Sequence, residues 1–256
     1  MGSAGEADRA TEAVRMSSAD RLLVLIPARN EAPRIEAVIA AVREVLPEAE
    51  LVVVDDASED STARRAAQAG ARVLGHLFHL GYGAALQTGY KYALRKGFNA
   101  VVQLDADGQH DAAELPGLLA PVREGRADVV LGSRFLARPP TYHGPLIRRI
   151  GSFLFALLAS VLTRQRITDP TSGLRALSRP ALEACCSDMF PTDYPDADTL
   201  VHLRRAGLHI VEVEARMRPS EGKVGMHRGF SPVYYVYKML LSTLVVVLRG
   251  RARKED

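Results

Sequence analysis

The 256-residue sequence has only two cysteines, and they are neighbours, Cys185 and Cys186. Adjacent thiols cannot build a disulfide framework or a spaced metal site, so the pair reads as two small apolar core residues of a reducing compartment. Charge of one sign is also scarce. Lys and Arg number 33 against 30 Asp and Glu, a net charge of +3. So small an excess, with no RNA- or DNA-binding signature, argues against a nucleic-acid partner. Long apolar runs are missing as well. Ile150 to Leu162 and Val233 to Leu248, the second interrupted by Lys238, fall short of a bilayer span and read as core helices or interfacial segments. The first twenty residues lack any apolar core, which excludes a signal peptide or a strand there and predicts a disordered segment. No internal repeat interrupts the rest.

What remains is an alternation of buried-strand and helix patterns. Apolar runs at 21–27, 50–55, 71–74, 99–104 and 128–131 predict five strands, and the stretches between them carry helical spacing, as in Ile35, Val38, Ile39, Val42 and Val45. Strands alternating with helices specify a mostly parallel, doubly wound sheet, and right-handed crossovers bring the loops that follow the strands to one edge. Three polar stretches should therefore meet in one crevice: Pro27 to Glu31 (PARNE), Asp55 with Asp56, and Asp105 with Asp107. A domain over 21–230 is expected, followed by an apolar helix and basic tail over 231–256.

Asp105-Ala106-Asp107 stands where a buried strand ends. Two carboxylates two residues apart suit a divalent cation that also bridges a diphosphate, with Gln109 and His110 extending the ligand supply. Taken alone, so short a motif is more often a polar turn; its place beside the other acidic strand ends favours the metal site. Gly81-Tyr82-Gly83 could pass for a dinucleotide fingerprint, but it lacks the third glycine and follows the third strand, not the first.

The ordered pieces LIPARNE (25–31), VVDDASEDST (53–62), LGYGAALQTG (80–89), LDADGQH (104–110), VLGSR (130–134) and DPTSGLRA (169–176) resemble family 2 glycosyltransferases of the GT-A fold. The likeness is to the branch of dolichol-phosphate and polyprenyl-phosphate mannosyl- and glucosyltransferases. It implies a Rossmann-like α/β fold with amphipathic helices near its C-terminus, and an inverting, metal-dependent enzyme using Mg2+ or Mn2+. Pro27, Asn30, Glu31, Val54, Asp56, Gly83, Asp105 and Ala106 match nucleotide-sugar contacts. Asp105, Asp107 and Gln109 match the metal site, and Arg134 matches a phosphate-contacting arginine. Competing readings make Glu31 a helix-start acid, Asp56 a turn former and Arg134 a surface ion pair. The loop that usually begins with Asn in this family begins here with His79.

The acceptor divides the possibilities. A hydroxyl acceptor needs a base, and Asp196 or Asp198 lies in the region where many members supply one; the alternative is that both cap a helix running to Gly207. A lipid phosphate is already ionised and needs cations, for which Arg148, Arg149, Arg175 and Lys223 are candidates, with His227 beside Lys223 in an expected closing loop. The expected partners are a UDP- or GDP-sugar and a polyprenyl phosphate. The alternatives are a glycan or other hydroxyl acceptor and, from another class, a non-catalytic nucleotide-sugar binding protein. A cytoplasmic location with peripheral membrane contact is expected, with Tyr234, Tyr235, Tyr237 and Lys238 suited either to an interface or to a homo-oligomer contact.

Overall fold

The structure, a computed structural model, describes residues 21–136, 146–188, 190–191 and 195–217, with the backbone alone for 146–151. Its first strand, β1 (Leu22–Ala28), is buried along its whole length. An unbroken apolar strand is stable only where both faces of a sheet are covered. That is the place of β1, paired in parallel with β2 (Glu50–Asp55) on one side and β4 (Ala100–Gln103) on the other. A further strand, β3 (Arg72–Gly75), extends the sheet beyond β2. The crossovers carry α1 (Ile35–Val45), α2 (Thr62–Gln68) and α3 (Tyr82–Arg95). After β4 come a short 3-10 turn, α4 (Leu115–Arg123) and β5 (Val129–Ser133).

The remaining elements are α5 (Leu146–Thr163), β6 (Arg175–Ser178), α6 (Arg179–Cys185), α7 (Ala197–Arg205) and β7 (Ile210–Glu214). The sheet runs β3-β2-β1-β4-β6-β5-β7, and β6 alone is antiparallel to its neighbours. This is the mostly parallel α/β architecture expected, with the five early strands within one or two residues of their predicted bounds. The strands β6 and β7 carry no clear pattern in sequence: the first is short and opens on Arg175, and the second alternates at a sheet edge.

Each face of the sheet has its own core. Val24, Ile26 and Val53 pack with Ile39, Val42 and Leu118 on one side. Leu23, Leu25 and Val52 pack with Leu86, Tyr90 and Leu182 on the other. Helix α3 comes close to β1 because residue 89 is glycine; a Cβ there would stand 2.2 Å from Leu25 Cδ1. Cys185 is buried in the same core, and burial pushes its thiol up to about 12, which leaves it an inert apolar residue. Helix α5 buries Phe155, Ala156 and Ala159 but exposes Phe153, Leu154, Leu157 and Val161.

Between β1 and β4 the strand order reverses, so the crevice at their C-terminal ends is the place where such sheets bind ligands. Residues 1–20, Lys223, His227 and the expected helix over 231–256 lie outside the described residues, as do the side chains of Arg148 and Arg149.

Candidate active site

Two loops at this edge are stapled to each other. Asn30, at φ 55°, takes the left-handed conformation that asparagine tolerates better than most residues. Its backbone N–H donates to Ser58 Oγ at 2.9 Å, and its side-chain oxygen accepts the Glu59 N–H at 2.8 Å. Glu31 N–H donates to Thr62 Oγ1 at 2.8 Å, and Ala32 N–H to Asp60 Oδ2 at 3.2 Å. The Glu31 carboxylate is buried and lies 3.4 Å from Arg34. The loop after β1 is thereby fixed to the loop after β2 before any ligand arrives.

Asp56 does not present an open carboxylate. Its oxygens accept the backbone N–H groups of Leu80 and Gly81 at 2.8 and 2.9 Å, and meet Nδ1 of His76 and His79 at 2.8 and 2.7 Å. Burial pushes this carboxyl up, but the hydrogen bonds outweigh it and hold the group below the usual carboxylate range. Asp56 is the anchor of the β3–α3 loop, and contact with a nucleotide base would have to displace one of these bonds. Val54, also expected at the base, is fully buried in the core on the α3 side, because strand alternation turns it there with Val52. Beside Asp56, the buried Asp55 Oδ1 has no hydrogen-bond partner among the described residues.

The acidic loop begins with Asp105, which emerges from β4 between two partners. Tyr82 OH donates to its Oδ1 at 2.8 Å, and His110 Nε2 lies 3.3 Å from its Oδ2. Behind Tyr82, Gln103 Nε2 donates to the phenol oxygen at 3.4 Å, and Tyr90 OH donates to Gln103 Oε1. Burial first, then the Asp105 charge, raises the Tyr82 phenol well above its ordinary range, so it stays the donor. Burial also pushes Asp105 up, but His110, Tyr82 and the charge of Arg134 bring it below the usual carboxylate range. Asp107 is partly exposed, and its Oδ1 accepts the Gln109 N–H at 3.1 Å, so Gln109 braces the loop through its backbone. Ala106 packs inward against the core, and Gly83 is buried in the first turn of α3.

These residues fit a hard divalent cation. Among the described residues no group of three or more His, Cys, Asp or Glu side chains is placed to hold a metal. A cation bound here would take Asp105 and Asp107 as its carboxylate ligands, with a substrate diphosphate and water completing the shell, as is usual for Mg2+. The space for Asp105 exists because residue 173 is glycine: a Cβ there would stand 2.3 Å from Asp105 Oδ2. Gly173→Ala is expected to turn this carboxylate aside and to weaken manganese binding tenfold or more, with some loss of melting temperature because Tyr82 loses its acceptor. Manganese electron paramagnetic resonance checks this; an unchanged affinity would separate Gly173 from the site.

The expected phosphate and acceptor residues fall differently. Arg134 Nε and Nη2 each lie 2.6 Å from an Asp169 oxygen, and Nη2 also donates to Thr171 Oγ1 at 2.8 Å. Asp169 is fully buried, and its N–H donates to Glu212 on β7 at 2.9 Å. Arg134 thus sits in a bidentate, largely buried pair. Arg175, expected at an acceptor phosphate, is buried and directed inward instead. It donates to the carbonyls of Ser172, Pro195 and Pro170, and Asp196 Oδ1 lies 3.8 Å away. That set of bonds occupies each guanidinium nitrogen of Arg175. Asp198, expected as a base, is fully buried in the first turn of α7 and accepts the N–H of Thr199 at 2.7 Å.

Tyr82, Gln103, Asp169 and Gly173 carry much of this geometry without having been singled out in the sequence. Gln103 does leave a signal, being the one polar residue in the buried run of β4. The pairing of Arg134 with Asp169 spans 35 positions and has no local signature.

Residues 23–186 match the model of the family described as Glycosyl transferase family 2. The chain is 33% identical over 200 residues to an undecaprenyl-phosphate mannosyltransferase of Micrococcus luteus, covering 75% of this chain and 82% of that one. It is 34% identical over 171 residues to a polyprenol monophosphomannose synthase of Mycolicibacterium smegmatis, covering 64% and 63%. Among solved structures, glucosyl-3-phosphoglycerate synthase of Mycobacterium tuberculosis, in complex with Mn2+, UDP-glucose and phosphoglyceric acid, matches with a TM-score of 0.69 at 23% identity. That match covers 89% of this chain and 80% of that one. At such identity the likeness is one of fold.

Proposed function

We propose that this chain, which belongs to glycosyl transferase family 2, is an inverting enzyme that moves a sugar from a nucleotide diphosphate sugar to a polyprenyl phosphate. The observation that carries the donor half is the Asp105–Asp107 pair at the reversal of strand order, with Asp105 already oriented by Tyr82 and His110. A divalent cation held there by the two carboxylates would neutralise the charge that develops on the departing diphosphate. The chain's own part is to preorganise. The stapled loops after β1 and β2, with Pro27, Asn30 and Glu31, supply a fixed wall for the nucleotide, and fixed walls cost no reorganisation during reaction. Arg134, held by Asp169, adds positive potential near Asp105.

The acceptor assignment draws on the two curated relatives and on Asp198. An ionised lipid phosphate attacks without a base, and the acids expected to provide one are buried, as Asp198 is, or drawn toward Arg175, as Asp196 is. The exposed apolar stripe of α5, Phe153, Leu154, Leu157 and Val161, suits contact with a lipid surface, and Arg164 and Arg166 are exposed just beyond its end. Among the described residues no helix is long and apolar enough to cross a membrane. The α5 stripe supports peripheral contact with a membrane, and the cytoplasmic face is part of the proposal.

Calorimetry with UDP and GDP, with and without Mn2+, tests the donor half. Binding of one nucleotide that tightens with metal is expected; no metal-dependent binding of either would sink the assignment. A radiolabelled sugar assay offered polyprenyl phosphate and the free polyprenol tests the acceptor half. Label should pass to the phosphate, and transfer to the alcohol alone would shift the reading to a hydroxyl acceptor.

A further inference from the structure

Among the described residues, the hydrogen-bonded file behind Asp105 has no counterpart behind Asp107. Tyr90 and Gln103 are fully buried on the α3 side of the sheet, and their polar atoms are directed at one another and at Tyr82. Polar groups at such depth are costly unless each finds a partner, so a complete chain of them fixes every member in one rotamer. The chain has a defined polarity. Tyr90 donates to the Gln103 carbonyl, the Gln103 amide donates to Tyr82, and Tyr82 has only its proton left, which it gives to Asp105 Oδ1. Asp105 Oδ2 is met separately by His110, whose Nδ1 has no hydrogen-bond partner among the described residues. Both oxygens are thus oriented, while each keeps a lone pair.

We propose that Tyr82 is a positioning residue for the donor-phosphate metal site: its hydroxyl, braced by Gln103 and Tyr90, holds the Asp105 carboxylate in the one orientation that accepts the cation. The proposal rests on the donor-site reading above and adds to it the residue that sets metal affinity. Outer partners of this kind are worth about 10–100-fold in metal affinity where they orient a ligand. The phenol ring also packs against the α3-side core, so Tyr82→Phe removes the hydroxyl and keeps the packing.

The test is calorimetry of wild type and variants with UDP or GDP, whichever wild type binds, with and without Mn2+, alongside thermal melts. Tyr82→Phe should weaken the Mn2+-dependent part of nucleotide binding about 10–100-fold. Binding of the nucleotide without metal should stay within about twofold, since the ring and the stapled loops are untouched. Gln103→Met, which cuts the file one bond earlier, should act in the same direction with a smaller loss. Unchanged metal dependence in Tyr82→Phe overturns the proposal, as does an equal loss with and without metal, which would mark a packing role. If the melt shows Tyr82→Phe unfolded, Gln103→Met decides on the same criterion. If wild type shows no metal-dependent binding at all, the donor-site reading fails and this proposal falls with it. Wild-type binding with an unaltered Tyr82→Phe variant removes only the latter.

Discussion

Replacing Asp107 by alanine is expected to lower sugar transfer about a thousandfold or more and to leave the melting temperature nearly unchanged. The size follows from charge: a cation at a leaving diphosphate stabilises the transition state by several kcal/mol, and about 4 kcal/mol is a factor of about a thousand. The harmlessness to the fold follows from position. Asp107 is partly exposed in a turn, and the bond its side chain accepts comes from the nearby Gln109 N–H, which water can satisfy. Asp105 would be a poorer choice, because its loss would also strand the Tyr82 hydroxyl. Rates measured at saturating Mn2+ beside a thermal melt check the expectation; activity within tenfold of wild type would remove Asp107 from the chemistry.

The second large effect is on stability. Arg134→Met should destabilise the protein by about 3–5 kcal/mol, the cost of leaving a buried carboxylate without its cation. Asp169 is wholly inaccessible to solvent, and the guanidinium grips both its oxygens. Of the partners that remain, the Arg134 N–H at 3.0 Å and Thr171 Oγ1 at 3.3 Å, neither carries charge. Against a total stability of about 5–15 kcal/mol for a domain, such a loss is conspicuous. Urea unfolding should show it as a lower midpoint at an unchanged slope. Asp169→Asn in the same background should recover part of it, since a neutral amide removes the buried charge. A loss below about 1 kcal/mol would put the pair with ordinary surface ion pairs.

The two predictions also mark where sequence reasoning reached and where it stopped. Asp105 and Asp107 were legible because they follow a buried strand, and the parallel order of β1, β2 and β4 sends every such strand end to the same edge. Arg134 is a candidate through the resemblance alone, which does not reveal its partner. Asp169 lies beyond an entire helix, and nothing local reveals that the chain returns to meet β5. The surroundings of Asp56 and Val54 were hidden in another way. Alternation along β2 decides which face a side chain takes, and two histidines on a separate loop decide what a carboxylate holds. The sequence makes Arg175 and Asp198 ligand candidates through the motif and the region they occupy, which carry no sign of burial. Here both are buried, one against three carbonyls and the other in a helix start.

The antiparallel strand β6 has a consequence for how the molecule is made. It wedges between β4 and β5, pairing Ala100 with Ser178 and Leu131 with Arg175. The pairs β1–β2 and β2–β3 join neighbours along the chain and can assemble early, since nearby contacts close short loops, while β4 returns to β1 across both. Gly173 and Asp169 arrive only with β6, after a detour through α5. On the ribosome, therefore, a nascent chain would bring together the loops after β1, β2 and β4 well before Asp169 and Gly173 reach them. Competence for catalysis would come as one of the last events of folding.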